Sequence, residues 1–206
     1  MFGHLSGIEL VFVLVTVIVS VGFHEAMHGF VAFKLGDRTA ADLGRITLNP
    51  LAHVDIFATV LLPLLLILSG LPPFFAAKPV PFNPAQVMWD EYGAALVGIS
   101  GPLTNLVLAA VAGGIYHLAP SGTLGDFLSI FVAINVALFV FNMIPFPPLD
   151  GSRLLYAFAP EALQDVMARI EQLGLVAILI FMLLFFNILG PAIVGIDQHI
   201  INLLLG

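Results

Sequence analysis

Cysteine is absent from this 206-residue chain, and charged residues make up only 9% of it. Without thiols there can be no disulfide and no thiolate metal site, so any bound metal must be held by His, Asp or Glu. Soluble domains carry about 25% charged residues, so a content this low, with 60% hydrophobic residues, excludes an ordinary soluble domain and indicates a polytopic membrane protein. Only six residues are Lys or Arg, against thirteen Asp and Glu, for a net charge of −7. No basic patch is available to neutralise phosphates, so nucleic acid is excluded as a partner. The opening "MFGHLSGIEL" lacks the basic segment of a signal peptide, and the first apolar segment is read as retained. There is no long polar stretch, internal repeat or low-complexity segment, and a single membrane domain over residues 1–206 is expected.

Four apolar segments are long enough to span a bilayer of about 30 Å: residues 10–35, 93–118, 127–145 and 174–189. A fifth run, residues 56–71, is short and carries Pro63 at its centre, where it removes a helical hydrogen bond; it reads as a re-entrant hairpin. Charge placement supports this. With four spans and a re-entrant fifth run, Lys34, Arg38, Arg45, Lys78, Arg153 and Arg169 all fall on one side, which the positive-inside rule makes cytoplasmic. Both termini are then outside. The stretches "DLGRITLNP" and "AAKPVPFNP", rich in Pro, Asn and β-branched residues, predict a small extended region around the hairpin. Residues 153–173 interleave apolar and charged side chains and predict an interfacial helix. The expected fold is therefore an all-α polytopic membrane protein with about four transmembrane helices, a re-entrant hairpin and a small membrane-associated β region.

Within the first apolar segment lies "HEAMH". On a helix, His24 and His28 at i and i+4 share a face and can reach one cation, while Glu25 can reach water beside it. Three fixed residues match by chance on the order of 1% of the time in a chain of this length, a known hazard of such motifs. Here the bland alternative of packed histidines is weakened, because unpaired His and Glu at membrane depth are expensive. A third ligand must come from elsewhere. Asp150, after the prolines of "IPFPPLDG", is one candidate; a helix N-cap is its other reading. Asp55, with His53 nearby, is the competitor. His53, Asp55 and Asn105 are polar groups that could support the metal or line a water path, though Asn105 equally suits an interhelical hydrogen bond.

HEAMH in an early span, "GISGPLTN" at residues 98–105 and "NMIPFPPLDG" at residues 142–151 together resemble the site-2 protease family of intramembrane zinc metalloproteases. The resemblance covers roughly residues 8–158. It implies one Zn2+ held by His24, His28 and Asp150, Glu25 as general base, and Asn142 as a donor to the substrate carbonyl or its oxyanion. "LGRITLNPLAHVD" is similar to the membrane-associated β region of that family, and the hairpin to an insertion of its compact branch, which lacks PDZ and CBS domains. The implied substrates are membrane proteins with a single span or signal-peptide remnants, cut within or near the bilayer, with residues 42–47 a candidate edge for the unwound strand. Small size and lack of cysteine fit a prokaryotic plasma membrane. Two other functions are weighed beside this one. A metal transporter would carry repeats and has no need of a glutamate next to a ligand; an inactive scaffold would be expected to lose Glu25 or a ligand.

Overall fold

The structure is a computed structural model and describes residues 6–49, 52–53, 61 and 78–206. Helix α1 (Gly7–Lys34) begins at a capping box: Glu9 N–H donates to the Ser6 hydroxyl, and Ser6 N–H donates back to the Glu9 carboxylate at 2.7 Å. This satisfies two of the amides that every helix start leaves unpaired. At 28 residues α1 is about 42 Å long. A short turn of helix, α2 (Thr39–Asp42), follows. Helices α3 (Asp90–Tyr116) and α4 (Gly122–Asn142) form an antiparallel pair, and α5 (Gly151–Phe158), α6 (Glu161–Glu171) and α7 (Leu175–Leu205) complete the chain.

Among the described residues, four helices are long and apolar enough to cross a membrane: Gly7–Lys34, Asp90–Tyr116, Gly122–Asn142 and the stretch Asn187–Leu205 of α7. Three match the expected segments. The fourth does not stop near residue 189, because α7 continues through Pro191 to Leu205. A proline in a helix removes one hydrogen bond, but within a 31-residue apolar helix the remaining ladder carries it. The expected interfacial segment is two helices, split where the Ala159-Pro160 pair interrupts the backbone; an ion pair between Arg153 of α5 and Glu171 of α6 ties them together. At Gly174, whose φ is +54°, the chain turns by 103° between α6 and the segment Leu175–Phe185.

Helix α3 is the centre of the bundle, packing on α1, α4, α5 and α7. Its lower half joins α4 and α7 in a core of Ala109, Ala112, Leu128, Val132, Val136 and Val140. Val13, Val17 and Val21 of α1 pack on Ile130 and Ile134 of α4. Large apolar side chains such as Val107, Val111, Leu183 and Ile188 stay exposed, as a bilayer-facing surface requires.

No strand forms among the described residues, so the expected β region is not confirmed there. The physical reason lies in the donors. Pro79 and Pro81 have no N–H to give a ladder, and the Arg45 guanidinium occupies the carbonyls of Ala52, Lys78 and Pro79. Most of the expected hairpin, residues 56–71, lies outside the described residues. Residues 78–83 instead form an extended strap over α1. Lys78 N–H donates to the His53 carbonyl, Val80 N–H to Glu25 and Asn83 N–H to Asp37.

Asp37 is fully buried just beyond α1. Burial pushes its carboxyl up, but hydrogen bonds from the Thr39 hydroxyl, the Asn83 amide and the Thr39 amide outweigh this and hold it below the ordinary 3.8. A group whose pKa is depressed by folding stabilises the native state above the unfolded value and loses that contribution as pH falls through the folded one. Asp37→Asn should therefore cost roughly 1.5–3 kcal/mol at neutral pH, the worth of a hydrogen bond to a charged group. The gap in Tm between wild type and variant should hold steady at pH 5–7 and close as the pH drops below 3.8. Thermal melts across that range check this.

Candidate metal centre

His24 and His28 sit one turn apart on the buried side of α1, with ring planes nearly perpendicular and centroids 4.7 Å apart. Their Nε2 atoms are 3.0 Å from each other. Asp150 Oδ2 lies 3.0 Å from His24 Nε2 and 3.4 Å from His28 Nε2. Tetrahedral zinc ligands at 2.0–2.1 Å from the metal are about 3.3–3.4 Å apart, so these three atoms already form a face of nearly the right size.

Asp150 reaches the histidines because of the loop before it. After α4 the prolines of "IPFPP" prevent a continuing helix, and the chain turns back so closely that a Cβ on Gly151 would lie 2.4 Å from the Met143 carbonyl oxygen. Asp150 occupies the N-cap position of α5, yet its side chain makes no capping hydrogen bond. Its carboxylate is turned to the histidines instead.

The other ring nitrogens are fixed by α3. His28 Nδ1–H donates to the Val97 carbonyl at 2.7 Å and His24 Nδ1–H to Asn105 Oδ1 at 2.6 Å. A backbone carbonyl can only accept, so His28 carries a proton on Nδ1, and in the neutral ring its Nε2 is then a lone pair. With both rings neutral and His24 in the same tautomer, two imidazole lone pairs and a carboxylate oxygen converge with no donor among them. Such a set calls for a cation, and the chemistry of two imidazoles and a carboxylate suits zinc. The partners on Nδ1 are the outer-shell contacts that orient metal-binding histidines.

Space for the rings comes from α3 as well. A Cβ on Gly101 would lie 2.4 Å from His28 Nε2 and 2.7 Å from His24 Nε2, and one on Gly98 would lie 2.9 Å from the Asp150 carbonyl oxygen. In the sequence these glycines appear only within "GISGPLTN"; their place against the metal centre depends on which faces of α1 and α3 meet.

Glu25 is buried, and its Oε2 accepts the Val80 N–H at 2.8 Å. That contact with the strap has no sequence signature. Asn142 ends α4, with its amide donating to its own helix at the Leu138 carbonyl. It is not among the three groups that converge. His53 is fully buried, donates from Nε2 to the Thr47 carbonyl at 2.9 Å and leaves Nδ1 without a hydrogen-bond partner; it too stands apart from the three ligand atoms. Asp55 lies outside the described residues. Among the described residues, His24, His28 and Asp150 form the one group of three or more such side chains that could hold a metal. Beside the motif an apolar cavity of about 340 Å³ is lined by Phe23, Ala26, Met27, Phe30 and residues 46–48.

Comparison with known proteins gives a family. The family model described as Peptidase family M50 matches residues 114–186. A Bacillus subtilis protein named "Putative zinc metalloprotease YwhC" is 37% identical over 189 residues, covering 87% of this chain and 82% of that one. The proteins of the same description named Rip2 in Mycobacterium tuberculosis and MJ0611 in Methanocaldococcus jannaschii are each 31% identical, over 84% and 71% of this chain and 68% and 71% of their own lengths. No solved structure matches.

Proposed function

The chain belongs to peptidase family M50, and from that premise we propose that it is an intramembrane zinc metalloendopeptidase whose metal is held by His24, His28 and Asp150. The observation that carries the reading is the convergence of three electron-pair donors from α1 and the loop before α5, 126 residues apart in sequence, at 3.0–3.4 Å. Zinc, when bound, supplies a Lewis acid that polarises a carbonyl and makes water nucleophilic near neutral pH.

The chain's own residues do the rest. Glu25, adjacent to a ligand, takes the proton of the attacking water and returns it to the leaving amine. Asn142 exchanges its Leu138 acceptor for the substrate oxygen, a donor role worth about 3–4 kcal/mol in the transition state. The strap holds Glu25 through Val80 N–H. A metal transporter or an inactive scaffold leaves the glutamate beside two ligands without a task, and neither is favoured.

Substrates are single-span membrane proteins or signal-peptide remnants whose helices unwind before cleavage, since a helical carbonyl is sequestered in its own hydrogen bond. The apolar cavity beside Ala26 and Met27 suits a side chain of the unwound segment. All 206 residues act as one membrane-embedded domain, with core 8–158. The protein lies in a plasma membrane with both termini outside and the metal centre nearer the cytoplasmic face. The distribution of its six basic residues supports this orientation.

The test is metal content of the full chain purified in detergent. Wild type should carry about one zinc per chain; Asp150→Ala should lose it and Asp55→Ala should keep it, since a catalytic zinc rests on three protein ligands. Full zinc retained without Asp150 would sink the proposed ligand set.

A further inference from the structure

Behind His24 lies a set of buried polar groups that the reaction does not use directly. Ser20, Asn105 and Asn135 are all fully buried, one each on α1, α3 and α4. Asn105 Nδ2 donates to Asn135 Oδ1 at 3.0 Å and to the Ser20 carbonyl at 3.4 Å. Asn135 Nδ2 donates to the Ser20 hydroxyl at 2.8 Å and to the Phe131 carbonyl at 2.9 Å. Each amide thus has its donors and its acceptor satisfied.

The polarity of this chain is set at its far end. The Phe131 carbonyl can only accept, so the nitrogen of Asn135 must face it. Asn135 then presents its oxygen to Asn105. The nitrogen of Asn105 must answer, facing the Ser20 carbonyl as well, and its oxygen is left pointing at His24 Nδ1. Reversing either amide would set oxygen against oxygen and N–H against N–H in a buried site, where unsatisfied polar groups are costly. The outcome at His24 is a proton on Nδ1 and a lone pair on Nε2.

We propose that Asn135, which touches neither histidine, is a positioning residue of the metal centre: acting through Asn105, it fixes the His24 tautomer that leaves Nε2 free for the metal. This rests on the reading of His24 as a metal ligand. A buried polar network that spans three helices and ends on a ligand differs from one that only joins helices, because its effect is felt in metal affinity as well as in stability.

The experiment measures the zinc dissociation constant of the full chain in detergent by chelator competition, together with the 15N shifts of His24 in zinc-free protein. Wild type should show the Nδ1–H form. Asn135→Leu should weaken zinc binding roughly ten-fold, the low end of the 10–100-fold range for outer-shell changes, and should populate the Nε2–H form. Asn105→Leu should cost more, and the double variant no more than Asn105→Leu alone, because the two act in series. Asn135→Ala removes the same acceptor with less crowding and carries the comparison if the leucine variant does not fold. A folded Asn135 variant with wild-type zinc affinity and an unchanged His24 tautomer would overturn the proposal, as would strict additivity in the double variant. His24→Ala separates the two levels. If wild type binds no zinc, or His24→Ala still binds it, the ligand assignment itself is wrong and the relay falls with it.

Discussion

Glu25→Gln should abolish most peptide hydrolysis while leaving zinc in place. A general base typically contributes 10²–10⁴ in rate, or about 3–5 kcal/mol at 1.36 kcal/mol per decade. Glutamine has nearly the same shape and keeps one side-chain oxygen, so it can still accept the Val80 N–H that Glu25 Oε2 now accepts at 2.8 Å. The strap stays in place, and because Glu25 is not among the converging metal-binding atoms, stoichiometry should remain about one zinc per chain. Glu25→Ala makes the useful contrast. It should lose the same activity, but it also strands a buried N–H, at about 1–3 kcal/mol, and its Tm should fall where that of the glutamine variant does not. The readout is cleavage of single-span peptides, including signal-peptide remnants, reconstituted with the enzyme in lipid vesicles, beside metal analysis of the same preparations. Hydrolysis surviving in Glu25→Gln at more than about a tenth of the wild-type rate would remove Glu25 as the base.

Much of this centre was legible in the sequence because its parts are local. HEAMH needs only the i, i+4 geometry of one helix, and the apolar length of α1 follows from composition. Asp150 was readable as a candidate because three prolines interrupt the chain just before it, though the sequence alone left Asp55 beside it as a competitor. What was not legible depends on how helix faces meet. Neither Gly101 nor Asn135 has a local pattern that separates a role at the metal from ordinary bundle packing. The strap was partly legible. Its β-branched residues and prolines suggested extended backbone, while the sheet expected around it is not found among the described residues. The structure uses the carbonyls of residues 78 and 79 for Arg45 and the amide of Val80 for Glu25, so the segment serves the site singly rather than as part of a sheet. The last span illustrates a different limit. A stretch of 31 helical residues offers several windows of bilayer length, and composition alone does not choose between them.

Gly101→Ala should strongly damage the metal centre, because its added methyl would stand against both histidine rings. Val97, Gly101 and Asn105 recur every fourth residue on α3 and so form one stripe. Val97 offers its carbonyl to His28 and Asn105 its side-chain oxygen to His24; Gly101, between them, offers nothing but room. The spacing of the grips therefore matches the i, i+4 spacing of the two rings on α1. An added Cβ would stand 2.4 Å from His28 Nε2, 2.6 Å from its Cε1 and 2.7 Å from His24 Nε2, where ordinary contact needs about 3.5 Å or more. Relief requires a shift of roughly 1 Å, and the rings cannot make it alone, because the helix that carries the methyl also holds both Nδ1 atoms. Either α1 and α3 move apart, breaking those two bonds, or the Nε2 atoms leave the position that Asp150 faces. Overpacking of this kind costs about 1–3 kcal/mol, and the loss in zinc affinity should be about 100-fold or more, beyond the effect of deleting one outer-shell partner. Gly114 provides the control on the same helix. A Cβ there meets nothing within 4 Å, so Gly114→Ala should bind zinc as wild type does and gain about 0.5–1 kcal/mol from helix propensity. Zinc affinity and Tm measured on the pair separate the two cases: equal affinities would mean that α3 does not back the metal centre as closely as the structure places it.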